Sequence, residues 1–87
     1  MMTKEQIRDK LILMIRAKWN IDPAKEISEQ SSFTKDLGAD SLEQAELLMD
    51  IEDEFGVSVP TEAESEIKTV GDAAAKIEAL LKDEETA

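Results

Sequence analysis

One serine in this chain stands where a hydroxyl could be made to carry a group. It lies in LGADSL, Leu37 to Leu42, behind a glycine-containing turn and at the head of an acidic, periodic segment that runs to Phe55. Two kinds of chemistry suit that place. Asp40 or Ser41 can accept a hydrogen bond from the first turn and cap a helix. Free N–H groups and the helix dipole at the same place also favour a phosphate. Gly38 gives the turn room and the small Ala39 leaves the Ser41 hydroxyl accessible. By residue types alone, a helix-start serine and a modified serine are both open.

Other chemistries fall away. With no cysteine there is no disulfide framework and no Cys-based metal site. With no histidine the usual neutral-pH base and metal ligand is missing, and Ser41 has no activating partner. Any thiol chemistry needs an added group. No P-loop, dinucleotide fingerprint or nucleophile elbow occurs. DIEDEFG, Asp50 to Gly56, has acids at alternate positions, but its glycine is one place late for a calcium loop and the stretch reads as helix. We expect no dedicated metal site and no enzyme. The pair Glu46 and Asp50 reads as solvated charge on a helix surface rather than as an acid–base pair.

Stepping outward along the chain, helical periodicity predicts the elements that must position Ser41. Eighty-seven residues allow one domain, 1–87. The aromatic share is 3%, so the core must be aliphatic, which suits a helical bundle. A first helix follows a Thr3/Gln6 capping box, carries Ile7, Leu11, Met14, Ile15 and Trp19, and ends near Trp19–Asn20, before the turn at Asp22–Pro23. A long loop from about Ile21 to Ala39 has Ile27, Phe33 and Leu37 as anchors. A second helix spans Ser41 to Phe55, with Asp40 as N-cap, Glu43 three residues on, and Gly56 as terminator. Val57 to Pro60 is extended. A short third helix starts at a Thr61/Glu64 capping box and ends near Ile67. A fourth follows Thr69/Asp72, and its tail, about 83–87, should fray. The expected fold is all-α: a four-helix bundle with a short third helix and a long first loop.

On a helical wheel at about 100° per residue, Leu47, Ile51 and Phe55 form one stripe, with Leu48 at its edge. Leu42, Ala45 and Met49 form a second, nearly opposite, bordered by Glu46 and Asp53. The first serves the core. The second is either a docking strip for a groove with basic rims, or is covered by loop 21–39.

The net charge of −11 is confined. Residues 36–67 hold 11 acidic and no basic residues, while the rest of the chain is balanced. Such a surface repels nucleic acid and anionic membranes and attracts basic protein patches. The longest apolar run near the N-terminus, Leu11 to Ile15, is too short to span a membrane, and it looks unlike a secretory signal. We expect a cytoplasmic, monomeric protein.

LGADSL followed by EQAELLMDIEDEFGVSVP, with EIKTVGD leading into the last helix, closely resembles the acyl carrier protein family of fatty acid and polyketide synthesis. The similarity extends over nearly the whole chain and is strongest from Leu37 to Pro60. The resemblance implies a four-helix bundle with a short third helix. It implies that Ser41 receives 4′-phosphopantetheine covalently from coenzyme A through a magnesium-dependent phosphopantetheinyl transferase, helped by Asp40, and that the arm's thiol holds acyl groups as thioesters. Leu42, Ala45 and Met49 with Glu43, Glu46, Asp50, Glu52 and Asp53 then match the family's recognition face for acyl-transferring, condensing and reducing enzymes. Some features depart from the family's commoner forms: Ala45, where a larger β-branched residue is usual, Trp19, and the DPAKEISEQ and AAAK stretches. These keep open a specialised carrier of an amino acid, a polyketide or a lipid precursor, and an unmodified carrier-like interaction module.

Overall fold

A computed structural model describes the backbone of residues 2–86 and the side chains of residues 2–82. Four helices follow in order: α1 Lys4–Trp19, α2 Ser41–Phe55, α3 Thr61–Glu64 and α4 Val70–Thr86. Among the described residues the only strand-like pairing is an isolated antiparallel bridge between Ser32 and Thr69. The fraying expected at about 83–87 concerns side chains outside the described residues, and the helical backbone continues to Thr86.

Local chemistry sets the helix ends. Thr3 and Gln6 form the reciprocal capping box of α1, and Asn20 closes it in the left-handed conformation, at φ 49°. Thr69 and Asp72 exchange the same pair of bonds at the head of α4. The third helix is short and begins at Thr61 as expected, but it lacks the expected Thr61/Glu64 capping box and stops at Glu64 rather than near Ile67. Thr61 is its first helical residue rather than its cap. Pro60 takes the cap position and offers no side-chain bond. After Glu64 the chain continues in tighter turns, with Glu66 N–H donating to the Ala63 carbonyl and Ile67 N–H to that of Glu64.

The core is aliphatic, as composition requires. Ile7, Leu11 and Ile15 of α1 meet Leu47, Leu48 and Ile51 of α2 and Val70, Ala73, Ala74 and Ile77 of α4. Phe33 joins them and meets Trp19 edge-on, with ring centroids 6.3 Å apart. Phe55 was expected to be buried but is half-buried. It lies at the end of α2, with the Lys10 ammonium 5.3 Å from its ring.

The long first loop is tied down at both ends. The Arg16 guanidinium donates to the carbonyls of Asp22 and Lys25. Ile27 and Phe33 are buried, and Leu37 packs on the core. Between them the loop is laced to the joint before α4. Phe33 N–H donates to the Lys68 carbonyl, Val70 N–H to that of Ser31, and Gly71 N–H to that of Glu29, at 2.9–3.1 Å. This lacing holds the loop away from the outer stripe of α2, and it delivers the chain to Ser41.

Candidate functional site

The turn into α2 depends on Gly38, whose φ of 71° disfavours any side chain. From there Ala39 is buried, its N–H donating to the Phe33 carbonyl at 2.8 Å, and the chain emerges at Asp40. Asp40 caps the helix: its carboxylate accepts from Glu43 N–H at 2.8 Å, and the Glu43 carboxylate accepts from Asp40 N–H at 3.2 Å. Capping therefore falls to Asp40 and not to Ser41. The Ser41 side chain is exposed, and among the described residues its hydroxyl makes no hydrogen bond. The first N–H groups of α2 are intrahelical orphans beside it, at the positive end of the helix dipole.

A groove of about 300 Å³ opens at Ser41, between α2 and the α3 turn, lined also by Gln44, Ala45, Leu48, Glu64 and Ser65. Gln44 crosses it. Its side-chain amide donates to the Ile67 carbonyl at 2.7 Å and ties α2 to the segment after α3. Sequence reasoning missed Gln44, Glu64 and Ser65. Their one signal was position: Gln44 stands one helical turn after Ser41.

The second stripe of α2 lies open. Leu42 is 70% exposed and Met49 62%, with Ala45 half-buried between them. Glu46 and Asp53 are exposed beside them, and Glu43 is half-buried in its capping role. The remaining acids are partly engaged. Asp50 pairs with Lys18 of α1 at 2.8 Å. That hydrogen bond, more than the charges of Asp50 and Glu46, raises the Lys18 pKa above its usual value. Glu52 turns to the connection after α2, where its carboxylate accepts from Val59 N–H at 2.7 Å. The structure thus brings Leu42, Ala45, Glu46, Met49 and Asp53 together on one open face, places Glu43 and Asp50 at its flank, and gives Glu52 a structural bond.

Ser41 thus lies exposed at the head of α2, beside a groove and an open face that is both apolar and acidic. The family model for the phosphopantetheine attachment site matches residues 9–77. An acyl carrier protein from Porphyromonas gingivalis is 46% identical over 77 residues, covering 88% of this chain and 97% of that one. A solved acyl carrier protein from Enterococcus faecalis superposes with a TM-score of 0.74 at 33% identity, over 91% of this chain and 99% of that one. A provisionally assigned acyl carrier protein from Mycobacterium tuberculosis gives 0.77 at 27% identity, over 84% and 96%. The chain belongs to the phosphopantetheine-attachment family of acyl carrier proteins, which are carriers rather than enzymes and whose cofactor is phosphopantetheine.

Proposed function

We propose that Ser41 is the residue that bears the phosphopantetheine and that the chain presents acyl groups to enzymes of fatty acid or related biosynthesis. One observation carries the reading: Asp40 caps α2 and leaves the Ser41 hydroxyl exposed, unengaged and at the mouth of a groove. The residues fit the group. The head of α2 offers N–H groups to a phosphate. Gln44, Ala45, Leu48, Glu64 and Ser65 would lie along the arm. When bound, the group supplies the thiol that this cysteine-free chain lacks, and acyl chains are held there. Asp40 sits next to the serine, where it would support the transferase and its metal.

Leu42, Ala45 and Met49 then form the apolar strip on which partner enzymes seat, with Glu46, Asp50 and Asp53 meeting their basic rims. Phosphopantetheinyl transferase and the acyl-transferring, condensing and reducing enzymes would share this face. The chain works as one acyl-carrier domain, a monomer in the cytoplasm; no described helix is long and apolar enough to cross a membrane.

Intact mass before and after incubation with a promiscuous transferase, coenzyme A and Mg²⁺ tests the reading. Gain of one phosphopantetheine in the natural chain, and none in Ser41→Ala, is expected. Labelling that persists in Ser41→Ala would overturn the assignment. No gain in either would favour an unmodified interaction module.

A further inference from the structure

Trp19, Phe33 and Phe55 are the aromatic residues of the chain, and the first two meet where α1 ends. Trp19 is the last residue of α1 and is half-buried against the core. Its ring stands edge-on to that of Phe33, at an interplanar angle of 82°, and Phe33 is 1% exposed. The end of α1 is itself held over the loop, because Arg16 is bonded to the Asp22 and Lys25 carbonyls.

From Ser32 to Ala39 the chain closes on itself. The Ser32 carbonyl accepts from the N–H groups of Asp36 and Leu37, each at 3.0 Å, and the Phe33 carbonyl accepts from Ala39 N–H. The Asp36 carboxylate accepts from Ser32 N–H. The Phe33 ring is the largest side chain by which this knot grips the core. Beyond Ala39 comes Asp40, whose extended backbone, at ψ −179°, lets its carboxylate bond Glu43 N–H. The first turn of α2 hangs on that cap, and Ser41 is its first residue. A line of contact therefore runs from the Trp19 edge through the Phe33 ring and carbonyl to Ala39, and through the Asp40 cap to Ser41. Burial alone would be served by an aliphatic residue at position 19, whereas an edge-on pair also fixes an orientation.

Building on the Ser41 reading, we propose that Trp19 is a positioning residue for phosphopantetheine loading. Its edge holds Phe33, Phe33 holds the knot, and the knot keeps Asp40 in the conformation that winds the first turn of α2. Without the edge that turn frays, and a transferase seated on the outer face of α2 finds the hydroxyl out of place. Docking itself is spared, because Ala45, Met49 and Asp53 lie beyond the first turn. Loss of the edge thus acts on kcat and not on KM. Edge-on aromatic pairs bias a local equilibrium about 2–10-fold, and opening of the first turn should rise by that factor. A misplacement of about 1 Å costs about a hundredfold in rate, so even a partial shift is visible in loading.

The test uses the full chain in its natural sequence and as Trp19→Leu, Trp19→Phe and Ile7→Val, the last a loss of buried contact near the other end of α1. Loading by a promiscuous transferase with coenzyme A and Mg²⁺ is followed by intact mass, below the melting transition of every variant. Trp19→Leu should lower kcat by about threefold or more with KM within about twofold of the natural value. Trp19→Phe should recover most of that loss, and Ile7→Val should show none. In the same chains before loading, amide exchange at Ala39 and Glu43 should speed by about 2–10-fold in Trp19→Leu and stay unchanged at Ile51. Equal kcat in Trp19→Leu and the natural chain would overturn the proposal and spare Ser41, as would unchanged exchange at Ala39 and Glu43. A Trp19→Phe protein as slow as Trp19→Leu would overturn it by showing that the aromatic edge is not what matters. An Ile7→Val protein equally slow would do so by making general stability the cause, and a loss confined to KM by making Trp19 a docking residue. No mass gain in the natural chain sinks this proposal and the Ser41 reading together.

Discussion

The Lys18 ammonium lies 2.8 Å from the Asp50 carboxylate, across the seam between α1 and α2. Lys10 reaches Glu54 in the same way at 2.9 Å, one turn further along α2. The charge imbalance seen along the sequence is thus softened in space. The flank of α2 that faces α1 is answered, while Glu46 and Asp53 on the outer face have no ion pair among the described residues. Self-repulsion should act chiefly on that outer face.

Raising salt from low to physiological strength should therefore increase the Tm, through screening, while slowing encounter with basic partner enzymes. Glu46→Lys/Asp53→Lys should leave the fold as stable or more so and weaken acyl transfer to partners. Asp50→Asn should behave differently, because it strands Lys18. The sign follows from the raised Lys18 pKa. That pair stabilises the folded state below the usual lysine value of 10.5 and loses its effect as pH rises through the higher folded value. Asp50→Asn should lower the Tm near neutral pH and flatten its alkaline decline. Thermal unfolding from pH 7 upward checks this, and an unchanged alkaline limb would show the pair to be inert.

At the head of α2, capping and cargo fall to different residues. Ser41→Ala should abolish phosphopantetheine loading and leave the stability within about 0.5 kcal/mol of the natural chain, since the cap bond is made by Asp40. Asp40→Ala should cost about 1 kcal/mol in stability. Paired urea titrations of the two variants measure the difference. A Ser41→Ala loss as large as that of Asp40→Ala would show that the serine is part of the cap.

Much of this was legible in the chain itself. The boundaries of α1 and α2 followed from capping residues and periodicity, because Thr3/Gln6, Asp40/Glu43 and Gly56 are strong local signals. The same signal misled at Thr61. Pro60 already occupied the cap position, which local spacing alone did not show. The two stripes of α2 were visible, but which way loop 21–39 folded was not. That depended on backbone bonds between Glu29–Phe33 and Lys68–Gly71, pairings 35 to 42 residues apart in sequence. For the same reason the groove residues beyond α2, Glu64 and Ser65, could not be assembled from motifs, whereas Ser41 could.

The two faces of α2 differ in what they hold. Leu47 is 1% exposed and Met49 62%, two positions away. Leu47→Ala should destabilise by about 2–5 kcal/mol, through lost burial and the cavity left behind. Met49→Ala should cost under about 0.5 kcal/mol and instead weaken partner binding. Phe55→Ala should fall between them, because the ring is only half-buried. Equilibrium unfolding of the three variants ranks them, and equal losses for Leu47 and Met49 would reverse the assignment of core and docking faces.

The lacing of the first loop onto α4 passes through one position without a side chain. A Cβ built at Gly71 would stand 3.0 Å from the Glu29 carbonyl oxygen and 3.1 Å from the Glu29 Cβ. Elsewhere in a helix, replacing glycine by alanine stabilises by up to about 1 kcal/mol. Here the oxygen cannot easily withdraw, because it accepts the bond from Gly71 N–H at 2.9 Å. Moving it would also disturb Glu29, whose carboxylate pairs with Lys4 at 3.3 Å. Overpacking of this kind costs about 1–3 kcal/mol. Gly71→Ala should therefore be destabilising by roughly 1 kcal/mol on balance. Its amide exchange should rise at Phe33 and Val70, whose bonds share the same seam, while the cap of α2 stays protected. Calorimetry with hydrogen exchange on the variant decides it. A Gly71→Ala protein more stable than the natural chain would show that loop and helix can part at this point without loss.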